Sequence, residues 1–391
     1  MKRYWFAALL VALLMATGSA RAEDKLKIGF LTTLSWPGTT NGQEILDAFN
    51  LALDETGETL GGRPVDLVVG DDVNRPDLGL QLVRRMIQQD KVDLFTGFVG
   101  SNVTIAAANV ILPTGMPMLI LNGGPSTLAG AGCRPNLFDA AFQSDTPAEA
   151  MAIYLQNRGA KSVFLVTQNW QPGRDAVAGF KRYYKGRIAG ETYAPLDSFD
   201  YAADLVEVSA AKADAMYFFF TGGAPVINFV KQLAEAGLKG QMGLYTQTNP
   251  LDDQTLPGIG DAALGIESSG QWNEDLDNPA NRAFVAHFRA KYHRRPSITA
   301  ANAYDGARLL DAALHETGGK VTPADAFRHA LATVHFDSVR GSFRLNTNHF
   351  PIQSFYLSKV EKDASGTLGN RLESTIVKDL ADSYVGACKM E

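Results

Sequence analysis

The stretch Phe95-Thr-Gly-Phe-Val-Gly-Ser-Asn-Val-Thr104 decides the fold, because it passes from an apolar strand through a Gly-rich loop into a helix. After that helix, residues Gly115 to Gly124 repeat the step, with an apolar strand that ends in Asn-Gly-Gly. In a parallel sheet both loops emerge at the carboxyl ends of the strands, the edge where open α/β folds bind ligands. The sequence therefore predicts an α/β fold with a ligand cradle at this edge.

The residues of the two loops indicate what kind of ligand they would hold. Ser101 and Asn102 would begin the helix, where free N–H groups and the helix dipole favour an anion. In the second loop, Asn122, Gly123 and Gly124 would bring backbone amides close to the same point. We interpret the two loops as a small-molecule cradle that prefers a carboxylate. The plain alternative is an ordinary N-cap followed by an ordinary turn.

The N-terminus has the pattern of an export signal. Lys2 and Arg3 precede an apolar run, residues 4–16, and a small-x-small cleavage site ends at Ala22. The apolar run is too short for a stable membrane span, and no cysteine follows the cleavage site as a lipid-anchored protein would require. We predict a signal peptide at 1–22 and a mature protein in the periplasm; an uncleaved anchor is the alternative.

Length, charge and cysteine content narrow the class of protein. A chain of 391 residues is too long for one ordinary core, so two domains are expected. The formal net charge of −6 argues against nucleic acid and anionic membrane surfaces as partners. The two cysteines are Cys133 and Cys388. In an oxidising compartment an even pair predicts one disulfide, and two unpaired thiols remain the alternative.

Short apolar strands alternate with helices along the chain, which predicts βαβ units and parallel sheets. The alternation of strands and helices is interrupted near Phe142 and then resumes. The second series of strands has its own loops, including Thr221-Gly-Gly and Thr246-Gln-Thr. Further breaks near Ile266 and Asn348 indicate two more passages between domains. The predicted division is 23–142 plus 272–348 for the first lobe, and 143–271 plus 349–391 for the second lobe with the C-terminal tail.

The motifs of common enzyme classes are missing from the sequence. It contains no Gly-x-Ser-x-Gly elbow, no P-loop and no His-Glu-x-x-His. The six histidines are scattered through the C-terminal third without metal-ligand spacing. Asp71-Asp72 follows a strand, and we interpret it as a turn and cap rather than a catalytic pair. We expect a protein that is not an enzyme and has no cofactor or metal.

Aromatic residues gather where predicted strands end. Trp36, Phe98, Trp170, Tyr245 and Trp272 each lie in or beside a loop at the carboxyl end of a strand. Taken singly, each is a candidate core side chain, and the sequence leaves open whether a given tryptophan faces cleft or core. Together they predict a cleft that clamps a flat or apolar ligand body.

The order and spacing of several stretches resemble the type I periplasmic solute-binding proteins of ABC importers, in the branched-chain amino acid-binding group. The stretches that carry the resemblance are Leu34–Gln43, Gly97–Ser101, Gly115–Gly124, Asn169–Phe180, Thr221–Gly223 and Ala303–Ala307. The resemblance implies two doubly wound α/β lobes joined by a three-strand hinge, which close over a ligand held in the cleft. It also implies the membrane permease of an ABC importer as partner, and we expect a monomer.

One departure from the family bears on the ligand. In its amino-acid binders, residues matching Ser101 and Asn122–Gly124 hold the α-carboxylate, and an acidic residue after a later strand holds the α-ammonium. Here that later place is Thr246–Thr248, which has no carboxylate. An unpaired ammonium in a dry cleft would cost several kcal/mol, so an amino-acid ligand is disfavoured. With rings added at Trp36 and Trp170, the sequence is similar to the subgroup that binds lignin-derived benzoates and phenylpropanoids.

The predicted ligand is therefore an aromatic or arylalkyl carboxylate, with Asn41, Thr221 and Gln247 offering neutral hydrogen bonds to ring substituents. Three alternatives stay open: an amino-acid binder that uses an unaligned acidic residue, an amide- or urea-type binder, and an exported enzyme or sensor-domain partner on the same fold. The predicted ligand-binding residues are Trp36, Asn41, Phe98, Ser101, Asn102, Asn122, Gly123, Gly124, Trp170, Thr221 and Gln247.

Overall fold

The computed structural model describes residues 25–36 and 40–390, so the predicted signal peptide lies outside the described residues. The strands are β1 (Leu26–Thr32), β2 (Thr59–Leu60), β3 (Arg63–Asp71), β4 (Leu94–Gly97), β5 (Met118–Ile120), β6 (Gly123–Gly124), β7 (Leu137–Asp139), β8 (Phe142–Gln143), β9 (Ser162–Gln168), β10 (Arg187–Ala194), β11 (Ala215–Phe219), β12 (Gly243–Gln247), β13 (Glu267–Gly270), β14 (Phe343–Leu345), β15 (Pro351–Lys362) and β16 (Leu368–Leu380). The α-helices are α1 (Asn41–Glu55), α2 (Pro76–Arg85), α3 (Ser101–Ile111), α4 (Ser126–Ala129), α5 (Thr146–Asn157), α6 (Gln171–Tyr183), α7 (Ala202–Ala211), α8 (Ala224–Glu235), α9 (Leu256–Ile259), α10 (Pro279–Tyr292), α11 (Ile298–Glu316) and α12 (Ala324–Thr333). A π-helical turn, Met86–Asp90, extends α2, and 3₁₀ turns lie at Leu112–Thr114, Gly260–Ala263 and Val385–Ala387.

The first sheet has the strand order β2-β3-β1-β4-β5-β7, and its inner strands run parallel. Successive residues of a strand point to opposite faces, so each inner strand is apolar on both sides. Phe30, for example, packs into the core under α1, α10 and α11, while Leu31 packs into the core under α2 and α3. The sheet is thus covered by helices on both faces, as the alternating pattern predicted.

The second sheet has the order β10-β9-β11-β12-β13-β15-β14, with β16 paired to β15. Strands β9 to β13 are parallel, and β15 joins them antiparallel. The wholly apolar β11 is buried on both faces, because Met216 and Phe218 lie in one core and Tyr217 and Phe219 in the other. The sheet ends in the long hairpin β15–β16.

The chain passes between the two sheets after β7, after β13 and before β15. One core joins residues of β1 and α1 with α10, α11 and α12, so the segment that follows Gly270 returns to the first sheet. Strand β14 pairs with β15, although Phe343 and Leu345 pack against the first core. We propose that the lobes follow the division predicted above, with three crossing strands between them.

Arg340 ties the first crossing to the third, because its fully buried guanidinium donates to groups from both and from α11. Its Nε lies 2.7 Å from Asp305 Oδ2 of α11, and its two Nη atoms donate to the carbonyl oxygens of Ala140 and Ala141 at 2.7 and 2.9 Å. It also donates to Gln353 Oε1 of β15 at 2.9 Å. A charge buried in this way is held in place by the pairing and hydrogen bonds around it.

The C-terminal tail is fixed to both halves of the molecule. A disulfide, the pairing expected from the sequence, joins Cys133 to Cys388, whose Cα atoms lie 5.6 Å apart. Just before it, Tyr384 Oη donates to Asp145 Oδ2 at 2.6 Å, and Ser383 Oγ donates to Glu149 Oε1 at 2.8 Å. The tail therefore bridges the region after β6 and the start of α5.

Asp139, at the end of β7, is expected to make the protein less stable as the pH rises. The side chain is fully buried, Oδ1 accepts from Ala141 N at 2.6 Å, and Oδ2 has no partner among the described residues. Burial raises the pKa of Asp139 well above its ordinary value of 3.8, so the folded state keeps a proton that the unfolded state releases. Its contribution to stability is full below pH 3.8 and is lost as the pH rises through the raised pKa.

The measurement is the urea-unfolding free energy of the wild type and of Asp139→Asn at pH 5, 6.5 and 8. The wild type should lose up to about 1.4 kcal/mol per pH unit relative to the variant, since one proton is involved. Parallel pH profiles for the two proteins would contradict the raised pKa.

Candidate functional site

A cavity lies between the two lobes, at the edge where the strands of both sheets end. The first lobe lines it with Trp36, Asn41, Asn74, Val99, Gly100, Ser101, Asn122 and Gly123. The second half of the wall consists of Phe142, Ser144, Trp170, Pro172, Phe219, Thr221, Gly222, Gln247 and Asn249. Loops from two sheets therefore enclose one site, as expected for a ligand held between lobes.

The first-lobe wall is built around the start of α3. Ser101 is the first residue of this helix and is buried. The first N–H groups of a helix have no partner within it, so this end presents donors and the positive end of the dipole. A Cβ at position 100 would lie 2.3 Å from Asn74 Oδ1, so any larger residue than glycine there would displace the Asn74 side chain. Asn122 Nδ2 donates to Val99 O at 3.2 Å and fixes the neighbouring loop.

Four aromatic rings contribute to the cavity wall: Trp36, Phe142, Trp170 and Phe219. Trp170 stacks on Phe219, with ring centroids 6.0 Å apart and an interplanar angle of 30°. Trp170 directly precedes α6, and Pro172 occupies the first turn of that helix, where its missing N–H costs nothing. Flat apolar surfaces on facing sides of a cleft suit a flat apolar ligand.

The polar groups of the second lobe are held by buried neighbours. Thr221 N donates to Gln168 Oε1 at 2.8 Å, and Gln247 Nε2 donates to Tyr217 Oη at 3.1 Å. Burial raises the pKa of Tyr217 above its ordinary value, so its hydroxyl stays protonated and neutral. These contacts orient Thr221 and Gln247 without consuming all their hydrogen-bonding groups.

Three buried side-chain polar atoms of cavity-lining residues have no partner among the described residues: Asn122 Oδ1, Trp170 Nε1 and Thr221 Oγ1. Buried polar atoms in native proteins are almost always paired, with water or ligand where protein groups are lacking. They comprise one acceptor, one donor and one hydroxyl that serves as either. The cavity is therefore equipped to bond a ligand through neutral groups.

Among the residues described, those that line the cavity include no Asp, Glu, Lys, Arg or His. Asp72 lies behind the wall, where it accepts from Thr33 Oγ1 at 2.6 Å and from Asn74 N at 2.8 Å. Burial raises the pKa of Asp72 to about 6. In residues 25–36 and 40–390, no cluster of three or more metal-ligating side chains occurs. Helix N-termini are thus the main electrostatic features at the cavity, because α1, α3 and α6 begin at or beside the lining residues Asn41, Ser101 and Trp170.

Eight of the predicted residues surround the cavity, and three do not. Those that line it are Trp36, Asn41, Ser101, Asn122, Gly123, Trp170, Thr221 and Gln247. Phe98 was wrongly placed in the cleft: its backbone is left-handed, with φ of 67°, and its ring is fully buried in the first-lobe core beside Phe95. The turn sends the ring into the core because a large apolar side chain gains most from full burial.

The other two corrections concern the loop positions. Asn102 follows Ser101 on α3 but its side chain is exposed and does not line the cavity. Gly124 is buried behind the wall, where a Cβ would lie 2.0 Å from Asp139 Oδ2. Its carbonyl oxygen accepts from Ser144 N at 2.9 Å, so Gly124 joins the cavity loop to the first crossing strand.

Two of the aromatic residues singled out in the sequence pack away from the cavity. Trp272 is buried in the first-lobe core, where Nε1 donates to Asn281 Oδ1 at 2.6 Å and the ring meets Phe284 edge-on at 6.1 Å. Tyr245 packs against the second-lobe core and contacts Tyr154 at 6.3 Å between ring centroids. Trp272 and Tyr245 therefore pack against the cores of their lobes, which was the alternative for any single aromatic residue.

Sequence reasoning missed several residues that line the cavity. Phe219 ends an apolar strand and Phe142 lies at the first crossing, and neither position in the sequence indicates a ring that lines a cavity. Asn74 and Asn249 follow strands β3 and β12, and that position at the carboxyl end of a parallel strand was the available signal.

Comparison with known proteins assigns the chain to a class. Residues 25–366 match the family model described as periplasmic binding protein, and the chain belongs to this family. Leu/Ile/Val-binding protein homolog 6 of Brucella melitensis is 25% identical over 389 residues, which cover 97% of this chain and 98% of the relative.

Two solved structures of ABC-transporter solute-binding proteins are especially similar. One, from R. palustris in complex with benzoate, has a TM-score of 0.86 and 30% identity and covers 93% of this chain and 99% of its own. The other, from Rhodopseudomonas palustris BisB5 in complex with 3,4-dihydroxy benzoic acid, has a TM-score of 0.85 and 29% identity, with coverage of 92% and 99%. A leucine-binding protein from Thermotoga maritima shares the fold, with a TM-score of 0.77 at 21% identity. The predicted type of fold and family are confirmed.

Proposed function

We propose that this protein is the extracytoplasmic solute-binding component of an ABC importer and captures an aromatic carboxylate, of the benzoate or phenylpropanoid type, between its lobes. The observation that carries this proposal is a cavity with four aromatic rings, no ionisable side chain among its described lining residues, and helix N-termini that include the start of α3. The rings favour a flat apolar body, and the helix end favours a carboxylate. Relatives in complex with benzoate and 3,4-dihydroxy benzoic acid support the same ligand class.

The cavity also disfavours the amino-acid alternative that the Leu/Ile/Val-binding relative raises. An α-ammonium would need an anionic or strongly accepting partner in a closed cleft, and no carboxylate lines the cavity in the described chain. Asn122 Oδ1 offers one neutral acceptor, which suits a ring hydroxyl or an amide better than a full positive charge.

A thermal-shift screen separates the candidate ligands. Benzoate, 4-hydroxybenzoate, coumarate and phenylacetate should raise the unfolding temperature, because a ligand at a hundredfold its Kd adds about 2.7 kcal/mol of stability. Leucine and valine should leave it unchanged, as should urea. Stabilisation by leucine without any by the aromatic acids would overturn the proposed ligand class, and turnover of a stabilising compound would overturn its binding-protein role.

The carboxylate is expected to dominate recognition. Replacing the best acid of the screen by its primary amide should raise Kd at least tenfold, because the amide has no charge to meet the N–H groups and dipole of α3. Isothermal titration of the two compounds measures the difference. Equal affinities would remove Ser101 and the Asn122–Gly123 loop from carboxylate recognition.

We further propose export by a signal peptide cleaved after Ala22, action as a monomer and delivery of the ligand to a membrane permease. The periplasmic family and the sequence of residues 1–22 support export. Within residues 25–36 and 40–390, no helix has the length and apolar character to cross a membrane. Mass spectrometry of the exported protein would give the mature N-terminus, and light scattering would give the oligomeric state.

A further inference from the structure

Several polar contacts join the lobes outside the cavity wall, including Arg295 to Asp363 at 2.9 Å, and two more pair a buried carboxylate with a residue of the other lobe. The first runs from Ser126, the first residue of α4, to Asp175 on α6. Asp175 Oδ1 accepts from Ser126 Oγ at 2.7 Å, and Oδ2 accepts from Ser126 N at 3.2 Å. The second runs from Gln254 Nε2 to Glu44 Oε1 at 2.7 Å. None of these four residues lines the cavity.

Neighbouring groups orient the residues of the first contact toward each other. Asp175 is 4% exposed, and Gln171 Nε2 of its own helix donates to Oδ1 at 2.8 Å. Ser126 follows the Asn122–Gly124 loop after a single proline. A carboxylate that accepts two bonds from one serine, one of them from a backbone amide, makes a strong and directional contact.

The same contact is mechanically linked to the cavity. Gly123 of the first lobe and Trp170 of the second both line it. Gly123 lies three residues before Ser126, and Trp170 lies five residues before Asp175 in the chain that continues into α6. A ligand that contacts both walls therefore holds Ser126 and Asp175 near each other.

In the second contact, too, the carboxylate is held in place by residues of its own lobe. Glu44 of α1 is buried, paired with Arg294, and accepts from Ser297 N at 3.2 Å, all within the first lobe. Gln254, from the loop before α9 in the second lobe, completes its surroundings. Burial raises the pKa of Glu44 to about 7.

We propose that Ser126–Asp175, assisted by Glu44–Gln254, forms an interlobe clasp that stabilises the closed arrangement and so sets ligand affinity without touching the ligand. The part that concerns ligand affinity rests on the proposed function, and the part that concerns closure does not. A contact made only between closed lobes shifts the closing equilibrium by its own free energy, and the apparent affinity changes with the closed population.

The test replaces Asp175 by alanine and measures ligand binding and lobe closure. With the best aromatic acid of the screen as probe, Asp175→Ala should raise Kd about tenfold, mainly through faster dissociation in stopped-flow measurements. In small-angle X-ray scattering, the ligand-free variant should have a larger radius of gyration than the ligand-free wild type. Ser126→Ala, which keeps the backbone donor, should show a smaller change of the same sign and serves if Asp175→Ala folds poorly.

The matched control is Asp214→Ala. Asp214 Oδ2 accepts from Ser162 N at 2.9 Å and Ser162 Oγ at 3.1 Å, the same serine–aspartate pattern, but both residues belong to the second lobe. This variant should lose stability and keep the Kd and radius of gyration of the wild type.

The outcomes are distinguishable. A wild-type Kd and an unchanged radius of gyration in Asp175→Ala would overturn the clasp. If no aromatic acid binds the wild type, the proposed function fails and the radius of gyration alone decides the clasp. An increase in Kd that Asp214→Ala matches would show a general effect of lost stability and would also overturn it.

Discussion

Arg340→Met is expected to lower the free energy of unfolding by about 3–5 kcal/mol, the range measured when one partner of a buried ion pair is removed. The guanidinium is fully buried against Asp305, whose side chain is also fully buried. Methionine fills much of the same volume but leaves the Asp305 charge without its cation and the carbonyl oxygen of Ala140 without this donor. Urea unfolding followed by circular dichroism measures the change.

Arg344→Met is the control for this prediction. Arg344 pairs with Asp379 at 3.0 Å, yet the two side chains are 56% and 48% exposed, so solvent screens the pair. Exposed pairs contribute about 0–1 kcal/mol, and the variant should unfold close to the wild type. A loss below about 1 kcal/mol for Arg340→Met would show that the crossing strands do not depend on the four hydrogen bonds that its side chain donates, the ion pair with Asp305 included.

Trp170→Ala is expected to raise the Kd of the best aromatic acid about 30- to 150-fold. The indole forms part of the cavity wall against Phe219, and its Nε1 has no partner among the described residues. Losing the burial of a ligand ring against an aromatic side chain costs about 2–3 kcal/mol, which corresponds to that range of affinity. Isothermal titration measures Kd, and thermal unfolding reports whether the variant stays folded.

Trp272→Phe is the matched tryptophan control, because Trp272 packs in the first-lobe core and donates to Asn281. It should lower the unfolding temperature and leave Kd within about twofold of the wild type, since no cavity contact changes. The opposite pattern, with Trp272→Phe weakening binding and Trp170→Ala leaving it unchanged, would place the ligand away from the cavity described here.

The fold and the edge that carries the site follow from local patterns. Apolar strands such as β4 and β11 are buried on both faces, and helices follow each at the spacing that the sequence shows. The loops after them are then brought together by parallel pairing, so Ser101, Asn122 and Thr221 reach one cavity. Hydrophobic periodicity and the order of strands and helices can be read from the sequence, and they suffice to predict the fold and the edge of the sheet that carries the site.

The direction of single side chains depends on backbone geometry that the sequence does not express. Phe98 and Asn102 both lie within four residues of Ser101, yet neither faces the cavity. The left-handed φ of Phe98 directs its ring into the core, and the position of Asn102 on the helix directs its side chain to solvent. Phe219 faces the cavity although its strand is uniformly apolar, because the last residue of a buried strand adjoins the cleft. A pattern of apolar residues in a sequence does not distinguish an aromatic ring that packs in the core from one that lines a binding cavity.

The disulfide joins Cys133 to Cys388, which are 255 residues apart in the sequence. The chain between them forms a loop that contains all three crossings between the lobes. A single protease cut at any exposed point inside the loop therefore leaves one covalent molecule, because each fragment keeps one of the two cysteines. The chain cannot be divided into two separate lobes by such a cut unless the disulfide is also reduced. In an oxidising compartment, a nicked copy would keep both halves of its cavity.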